Sequence, residues 1–346
     1  MIQTLLWKKL KDNKVTCQLC GHYCVMKDGE YGRCGVRLNK NGELFSEVLD
    51  TIASINLDPV EKKPLFHFLP STQILSFGTL GCNMSCLFCQ NWNISQPNAI
   101  IKAQTPQSKV TPQILVNEAK RLNAKSIAYT YNEPTVFYEL VLETATLATE
   151  QGIANVLVSN GFQSKQALLG LKDKIQAVNI DLKSFSADFY KNICGARLDV
   201  VLKNLKLMRS FGWWIEVTTL IIPTYNDSLE ELKAIATFIF NELGAYTPWH
   251  LSAFRPCYKM NNLAPTSAKT IEQALDIGRS VGLKYVYAGN VFGHESESTY
   301  CPNCHNIFIK RRGYQIEGLK EASLKGFCLS CGEPIEGFWS LDRLKK

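Results

Sequence analysis

The sequence predicts an α/β fold, namely a partial (β/α)6 TIM-type barrel with a cysteine-rich metal-binding appendage at each end. From Ile74 onward, short apolar runs rich in strand formers alternate with longer segments of helical period, as in β/α units around a parallel sheet. The 13 cysteines are concentrated at 17–34, 82–89 and 301–331. With 346 residues, 46% of them hydrophobic, the chain can bury one large core.

Six apolar runs are the predicted barrel strands, at 74–79, 126–130, 155–159, 177–181, 215–221 and 250–254, and a seventh at 285–288 extends or caps the sheet. Apolar residues at helical spacing predict the intervening helices at 111–122, 136–149, 198–210, 229–243 and 270–281. We therefore divide the chain into an N-terminal metal-binding segment with its lead-in at 1–70, the barrel at 71–295 and a zinc-ribbon-like segment at 296–346.

The first appendage carries Cys17, Cys20, Cys24 and Cys34, four thiols within 18 residues. Four thiolates can hold either a tetrahedral zinc ion or a second four-iron cluster. Short cysteine pairs favour zinc as a general rule, and His22 could replace one thiol. The spacing predicts a metal site here and leaves its metal open.

The central group is Cys82, Cys86 and Cys89, with the spacing C-x-x-x-C-x-x-C. Four-iron cubane clusters are normally held by four cysteine thiolates, so three leave one iron free for a ligand from outside the protein. The alternatives are part of a zinc site or a set of inert buried thiols. Zinc needs a fourth ligand, and none of the thirty residues after Cys89 is Cys or His. The triplet therefore predicts a cluster with one open iron.

Polar residues follow three of the predicted strands, where barrels build their active sites. Asn132 and Glu133 follow the second strand, Asn160 follows the third, and Asp181 and Lys183 lie at the end of the fourth. Each has an alternative explanation. Glu133 could interact favourably with the positive end of a helix dipole, and Asn160 could form a plain turn. Asp181 could form a surface ion pair with Lys183. Together they are the predicted polar wall of a binding site.

The last group is two C-x-x-C pairs, Cys301 with Cys304 and Cys328 with Cys331, flanking β-rich sequence. This spacing is typical of a zinc ribbon. Zinc would supply folding free energy that a segment of this length could not obtain from its own core. Its function would be to dock a protein or nucleic acid, or only to cap the fold.

The charge pattern argues against nucleic acid as the main partner. The formal net charge is +7, and the basic residues cluster only at 310–312. No apolar leader follows Met1, and no window reaches 18 uninterrupted apolar residues, so we expect a cytoplasmic protein that does not use a membrane. Reduced thiols in that compartment favour metal binding over disulfides.

Several motifs together resemble the AmmeMemoRadiSam system radical SAM proteins, which are related to pyruvate formate-lyase activating enzymes. They are the Gly-Arg-Cys-Gly-Val-Arg stretch at 32–37, the lead-in at 58–67, Gly-Cys-Asn-x-x-Cys-x-Phe-Cys-Gln-Asn-Trp at 81–92, Tyr-Asn-Glu-Pro at 131–134 and the terminal cysteine pairs. The resemblance covers nearly the whole chain. It implies the radical SAM class of partial barrel, with a 4Fe-4S cluster on the central triplet and S-adenosylmethionine (SAM) on the open iron.

The resemblance also implies the activity and the residues around SAM. The reduced cluster would cleave SAM to a 5'-deoxyadenosyl radical, which abstracts hydrogen from an unidentified protein or small-molecule substrate. Phe88 would lie near the adenine, and the other residues implied to orient SAM are Asn132, Glu133, Asn160, Asp181 and Lys183. Implied partners are a reductant such as flavodoxin or ferredoxin and the two other AmmeMemoRadiSam proteins. The alternatives are a glycyl-radical-enzyme activase proper and, in another class, a metal-dependent binding or sensor protein.

The sequence departs from the pattern of this family in three places. Tyr131 and Asn132 stand where the family has the two glycines of its G-G-E motif. Cys194 stands where we expect another residue, and it is explained equally by an ordinary small core side chain. The histidine that activating enzymes place near SAM aligns better with Arg255 than with His250, which could instead be a hydrogen-bonded strand histidine.

Overall fold

The structure is a computed structural model that describes residues 1–96, 105–291, 295–318 and 323–342. At its centre lies an eight-stranded sheet whose strand order follows the chain. The first strand pairs antiparallel with the second, and all later neighbours are parallel. The strands are β1 Ser54–Pro59, β2 Gln73–Gly78, β3 Ser126–Tyr129, β4 Ala154–Ser159, β5 Ala177–Asp181, β6 Trp214–Ile221, β7 Trp249–Ala253 and β8 Val286–Gly289.

The helices follow the parallel strands and cover the sheet, which confirms the predicted α/β fold. They are α1 Pro112–Arg121, α2 Tyr138–Glu150, α3 Lys165–Leu171, α4 Leu198–Ser210, α5 Leu229–Phe238 and α6 Ala268–Val281, with short turns of helix at Trp92–Ser95 and Ala187–Phe189. At the N-termini of four of these helices, α1, α3, α5 and α6, a side chain accepts a backbone hydrogen bond, as Thr111 does for α1 and Ser267 does for α6. Within the described ranges, no helix combines the length and the apolar character needed to cross a membrane.

Small antiparallel sheets carry the two appendages. On the N-terminal side, Ile2–Gln3, Arg37–Lys40 and Glu43–Ser46 form one sheet, Trp7–Lys9, Val15–Cys17 and Val25–Met26 form another, and Thr51–Ile52 pairs with Ser108–Lys109. On the C-terminal side, Thr299–Tyr300, Ile307–Arg312 and Gln315–Glu317 form a three-stranded ribbon. The last residues of the predicted C-terminal segment, 343–346, lie outside the described residues.

A buried carboxylate, Glu216, joins the lead-in and the barrel at the amino-terminal end of the sheet. It accepts hydrogen bonds from the backbone N–H groups of Phe66 and His67 at 2.9 and 2.8 Å, and His250 Nε2 lies 2.6 Å from it. Arg311 of the C-terminal ribbon donates to the Phe66 carbonyl at 2.7 Å. Both appendage connections are therefore fixed at this end, and the carboxyl ends of the strands face a separate cleft.

Candidate active site

A cleft of about 430 Å³ lies at the carboxyl ends of the parallel strands, and the predicted cysteine triplet lines it. Cys82, Cys86 and Cys89 lie on the loop that follows β2. Burial raises the pKa of Cys82 well above its ordinary value, since a thiolate without a counter-charge is poorly solvated there. A metal that binds these sulfurs as thiolates would remove that penalty.

The cysteine loop is held in place by the segment that contains Cys194. The backbone N–H of Ser85 donates to the Cys194 carbonyl at 2.9 Å, and that of Leu87 donates to the Ile193 carbonyl at 3.1 Å. Cys194 is fully buried, and a hydrogen bond from its thiol lowers the pKa of Cys86. Cys194 is therefore a neighbour of the triplet, a relation that its distance along the sequence gave no means to predict.

Two of the predicted amides both face the cleft and hold the cysteine loop. Asn132 Nδ2 donates to the Gly81 carbonyl at 2.7 Å, and Asn160 Nδ2 donates to Asn83 Oδ1 at 2.8 Å. Asn160 Nδ2 also lies 3.8 Å from the sulfur of Cys82. The ends of β3 and β4 thus fix the geometry of the triplet.

The predicted Asp181–Lys183 pair lies in the cleft wall, on the end of β5. Lys183 Nζ is 2.9 Å from Asp181 Oδ2 and 5.6 Å from the ring centroid of Phe88, which also lines the cleft. The Asp181 side chain is 39% exposed and that of Lys183 is 13% exposed. The pair therefore offers a carboxylate and an ammonium to a ligand in the cleft.

Glu133 lies behind the cleft wall and is not among the residues that line it. Its carboxylate is buried and accepts hydrogen bonds from Thr135 N at 3.0 Å, Ser159 Oγ at 2.9 Å and Asn160 N at 2.9 Å. Burial raises the pKa of Glu133, although these hydrogen bonds oppose the rise. In this arrangement Glu133 fixes the position of Asn160.

Neither residue considered for the family histidine lines the cleft. His250 lies at the opposite end of the sheet beside Glu216, and the Arg255 side chain is exposed. His250 is thus a hydrogen-bonded strand histidine.

Sequence reasoning missed several further lining residues of the cleft, which come from distant segments. Lys62, Lys63 and Tyr131 line it together with Tyr314 of the C-terminal ribbon. Asp58 accepts hydrogen bonds from Lys62 at 2.9 Å, Lys63 at 2.6 Å and the Tyr131 hydroxyl at 2.9 Å. The two adjacent lysines in the lead-in were a sequence feature from which part of this set could have been predicted. Nothing in the sequence places Tyr314 beside them.

Residues 77–239 match the family described as the Radical SAM superfamily. The uncharacterized protein MJ0808 of Methanocaldococcus jannaschii is 44% identical over 97% of this chain and 99% of its own length. This chain belongs to the radical SAM superfamily. The pyruvate formate-lyase-activating enzyme of Clostridium pasteurianum is similar to this radical SAM enzyme at 23% identity, over 52% of this chain and 77% of the Clostridium protein.

The solved structures agree with the fold of this radical SAM enzyme. SuiB of Streptococcus suis bound to S-adenosylmethionine superposes with a TM-score of 0.51 and 12% identity, covering 67% of this chain and 53% of SuiB. At that identity the superposition supports the partial barrel.

The cleft fits the 4Fe-4S cluster and the SAM that membership of the superfamily implies. Three thiols and no fourth cysteine line it among the described residues, which is the donor set that leaves one iron open. Around them lie the Asn132 and Asn160 amides, the Asp181 carboxylate and the Lys183 ammonium, which suit the amino, carboxylate and hydroxyl groups of SAM.

The C-terminal cysteines form a compact group that fits one metal ion. The four sulfurs of Cys301, Cys304, Cys328 and Cys331 all lie within 4.8 Å of one another. The Cys301–Cys331 and Cys304–Cys328 pairs are 3.6 Å apart. A tetrahedral ion with metal–sulfur bonds of about 2.3 Å requires sulfur–sulfur edges of about 3.8 Å. This radical SAM enzyme therefore carries a cysteine metal-binding cluster in its ribbon.

The N-terminal cysteines also come together, at a different place. Cys17, Cys20, Cys24 and Cys34 line one small cavity, together with His22. The cavity borders Asn83 of the cysteine loop, and His22 Nε2 lies 2.7 Å from the Asn83 carbonyl oxygen. The N-terminal appendage is thus in direct contact with the loop that carries Cys82, Cys86 and Cys89.

Proposed function

We propose that this radical SAM enzyme reductively cleaves SAM and uses the resulting 5'-deoxyadenosyl radical to abstract a hydrogen atom from a protein or small-molecule substrate. The observation that carries the proposal is the single cleft shared by the Cys82, Cys86 and Cys89 thiols and the polar ends of three parallel strands. The cluster supplies the electron for the cleavage, and the chain holds and orients the reacting groups.

Each predicted site residue has a proposed role. Cys82, Cys86 and Cys89 hold the cluster. The residues that orient SAM are Phe88, Asn132, Asn160, Asp181 and Lys183. Glu133 acts as a positioning residue, because its carboxylate holds the backbone N–H of Asn160.

The remaining parts of the proposal concern metals, segments and partners. The compact sulfur geometry supports zinc at the C-terminal cysteines. We keep the division into 1–70, 71–295 and 296–346 as a proposal. A flavodoxin or ferredoxin would supply the electron, and the two other AmmeMemoRadiSam proteins are the proposed partners. Activation of a glycyl-radical enzyme is the alternative within the same chemistry, supported by the similarity to the Clostridium enzyme.

Release of 5'-deoxyadenosine from SAM tests the proposal. We expect the anaerobically reconstituted, dithionite-reduced protein to release it, and the Cys86→Ala variant to release none, because the cluster loses one of its three ligands. Cys257→Ser is the matched control. It removes a thiol that donates to the Cys89 carbonyl and puts a hydroxyl donor in its place, so activity should persist. A Cys86→Ala protein as active as the wild type would refute the proposal.

A further inference from the structure

We propose that the N-terminal set, Cys17, Cys20, Cys24 and Cys34, holds a second 4Fe-4S cluster and not zinc. The role of this second cluster as a redox centre rests on the proposed function, but its presence does not. Three features indicate the metal itself: the spread of the sulfurs, the groups that border the cavity and the contact with the catalytic loop.

The spread of the sulfurs separates the two terminal cysteine sets. In the described residues, the C-terminal set is the group of cysteine, histidine, aspartate and glutamate ligand atoms that all lie within 4.8 Å of one another. The N-terminal sulfurs line one cavity without forming such a group. Thiolates on one zinc ion lie about 3.8 Å apart, whereas thiolates on different irons of a cubane lie roughly 6 Å apart. The wider arrangement fits the cubane.

The catalytic triplet provides an internal comparison. Its three sulfurs line the cleft and, like the N-terminal set, are not part of a group within 4.8 Å among the described residues. The structure therefore contains a compact set suited to one ion and two open sets suited to a cluster.

Two buried N–H donors beside the cavity have no partner in the protein. They are Arg37 Nε and Asn83 Nδ2, on side chains that are 1% and 3% exposed, and both residues line the cavity. A buried donor without an acceptor is costly, so each implies an acceptor that the protein does not supply. The sulfide and thiolate sulfurs of a cluster are acceptors of this kind.

The N-terminal segment touches the catalytic loop on both sides of Cys82. A Cβ atom on Gly81 would lie 2.7 Å from the Cys34 carbonyl oxygen, so the two segments are in close contact there. On the other side, the Asn83 carbonyl oxygen is 2.7 Å from His22 Nε2. A redox-active cluster at the N-terminal set would thus lie directly beside the catalytic one, whereas zinc is redox-inert.

Metal analysis of two variants tests the inference. In the first, Cys82, Cys86 and Cys89 are all replaced by Ala; in the second, Cys20 and Cys24 are. After anaerobic reconstitution we expect about eight irons and eight sulfides per wild-type chain, and about four of each in either variant. The first variant should keep the electron paramagnetic resonance signal of a reduced 4Fe-4S cluster, which can only come from the N-terminal set.

The counts decide the question without any turnover. A triplet variant that holds no iron, or a wild-type chain with about four irons and two zinc ions, would overturn the inference. If a variant fails to fold, the numbers of iron and zinc ions per wild-type chain still decide between the cluster and zinc. About eight irons in a protein that releases no 5'-deoxyadenosine would contradict the proposed function and leave this inference intact. Failure of the proposed function can therefore be distinguished from failure of the inference.

Discussion

At the scale of single residues, Gly81 is a position where the N-terminal appendage and the cysteine loop are in close contact. Its φ is +93°, in the region that favours glycine. An added Cβ would lie 2.7 Å from the Cys34 carbonyl oxygen and 2.8 Å from Val36 Cγ1. Both the backbone conformation and the lack of space therefore require glycine here.

Gly81→Ala should destabilise the protein far more than Gly29→Ala, its matched control. Gly29 also has a positive φ, +78°, but nothing lies within 4 Å of its added Cβ. We expect Gly29→Ala to cost about 1 kcal/mol from the backbone alone, and Gly81→Ala to cost about 2 kcal/mol more from the clash. Anaerobic urea unfolding measures both. Equal losses would mean that the contact with Cys34 relaxes freely.

The same scale shows which site residues a sequence can predict. Asn132, Asn160 and Asp181 were predictable because the polar residue after an apolar parallel strand lies at one end of the barrel. That rule does not predict the direction in which a side chain points. The Glu133 side chain points away from the cleft and accepts a hydrogen bond from the backbone N–H of Asn160. Tyr314 could not be predicted, since only the fold brings it to the cleft.

At the scale of elements, the parallel strands were predictable because both of their faces are buried, which gives continuous apolar runs. β1 was missed because it is an edge strand with three consecutive exposed residues and shows no such run. α3 was missed because it is short and contains Gly170, although Ser164 is a recognisable N-terminal cap that accepts from Ala167 N.

His67 connects the lead-in to the last strand and to the C-terminal segment. Its Nδ1 lies 2.7 Å from the Glu336 carbonyl oxygen and its Nε2 lies 2.6 Å from the Tyr287 hydroxyl. Burial lowers the pKa of His67 to about 4, and the positive charge of Arg311 acts in the same direction, against the pull of the Glu216 carboxylate. The folded protein therefore keeps this imidazole neutral.

That pKa predicts a loss of stability in mild acid. The unfolded chain protonates His67 below about pH 6.5 while the folded protein does not, so the stabilisation is complete above 6.5 and is lost as pH falls towards 4. Between pH 7 and 5 the wild type should lose about 2 kcal/mol more of its unfolding free energy than His67→Gln, which cannot titrate. Urea unfolding at both pH values measures this. Identical pH slopes would contradict the lowered pKa.

At the scale of the whole molecule, the two appendages approach the cleft from different sides. The N-terminal set touches the loop that carries Cys82, whereas the C-terminal ribbon is fixed at the base of the barrel and lines the cleft with Tyr314. Phe308 and Ile335 of the ribbon pack beside its cysteines, in an apolar cluster that the ribbon shares with the lead-in and the last barrel strand. The ribbon's own apolar side chains are too few to hold its fold without metal.

Removal of the ribbon metal should loosen that segment first. Cys331→Ala removes one of four ligands, so we expect new proteolytic cleavages within 296–342 while the barrel stays resistant and keeps its iron. Ser330→Ala, one residue away, is the control and should behave as the wild type. Limited proteolysis with mass spectrometry locates the cuts. An unchanged digest of Cys331→Ala would show that the ribbon folds without metal.

The hydrogen bond from Arg311 to the Phe66 carbonyl determines when, during synthesis, the base of the barrel can finish folding. The ribosome produces the lead-in, every strand of the barrel and the cysteine loop before it reaches codon 311. Until then the Phe66 carbonyl lacks the Arg311 donor that it has in the finished fold, so the arrangement at the base of the barrel is less stable. Completion of the fold at this end of the barrel, and with it the placement of Tyr314 at the cleft, therefore waits until the C-terminal ribbon has been synthesised.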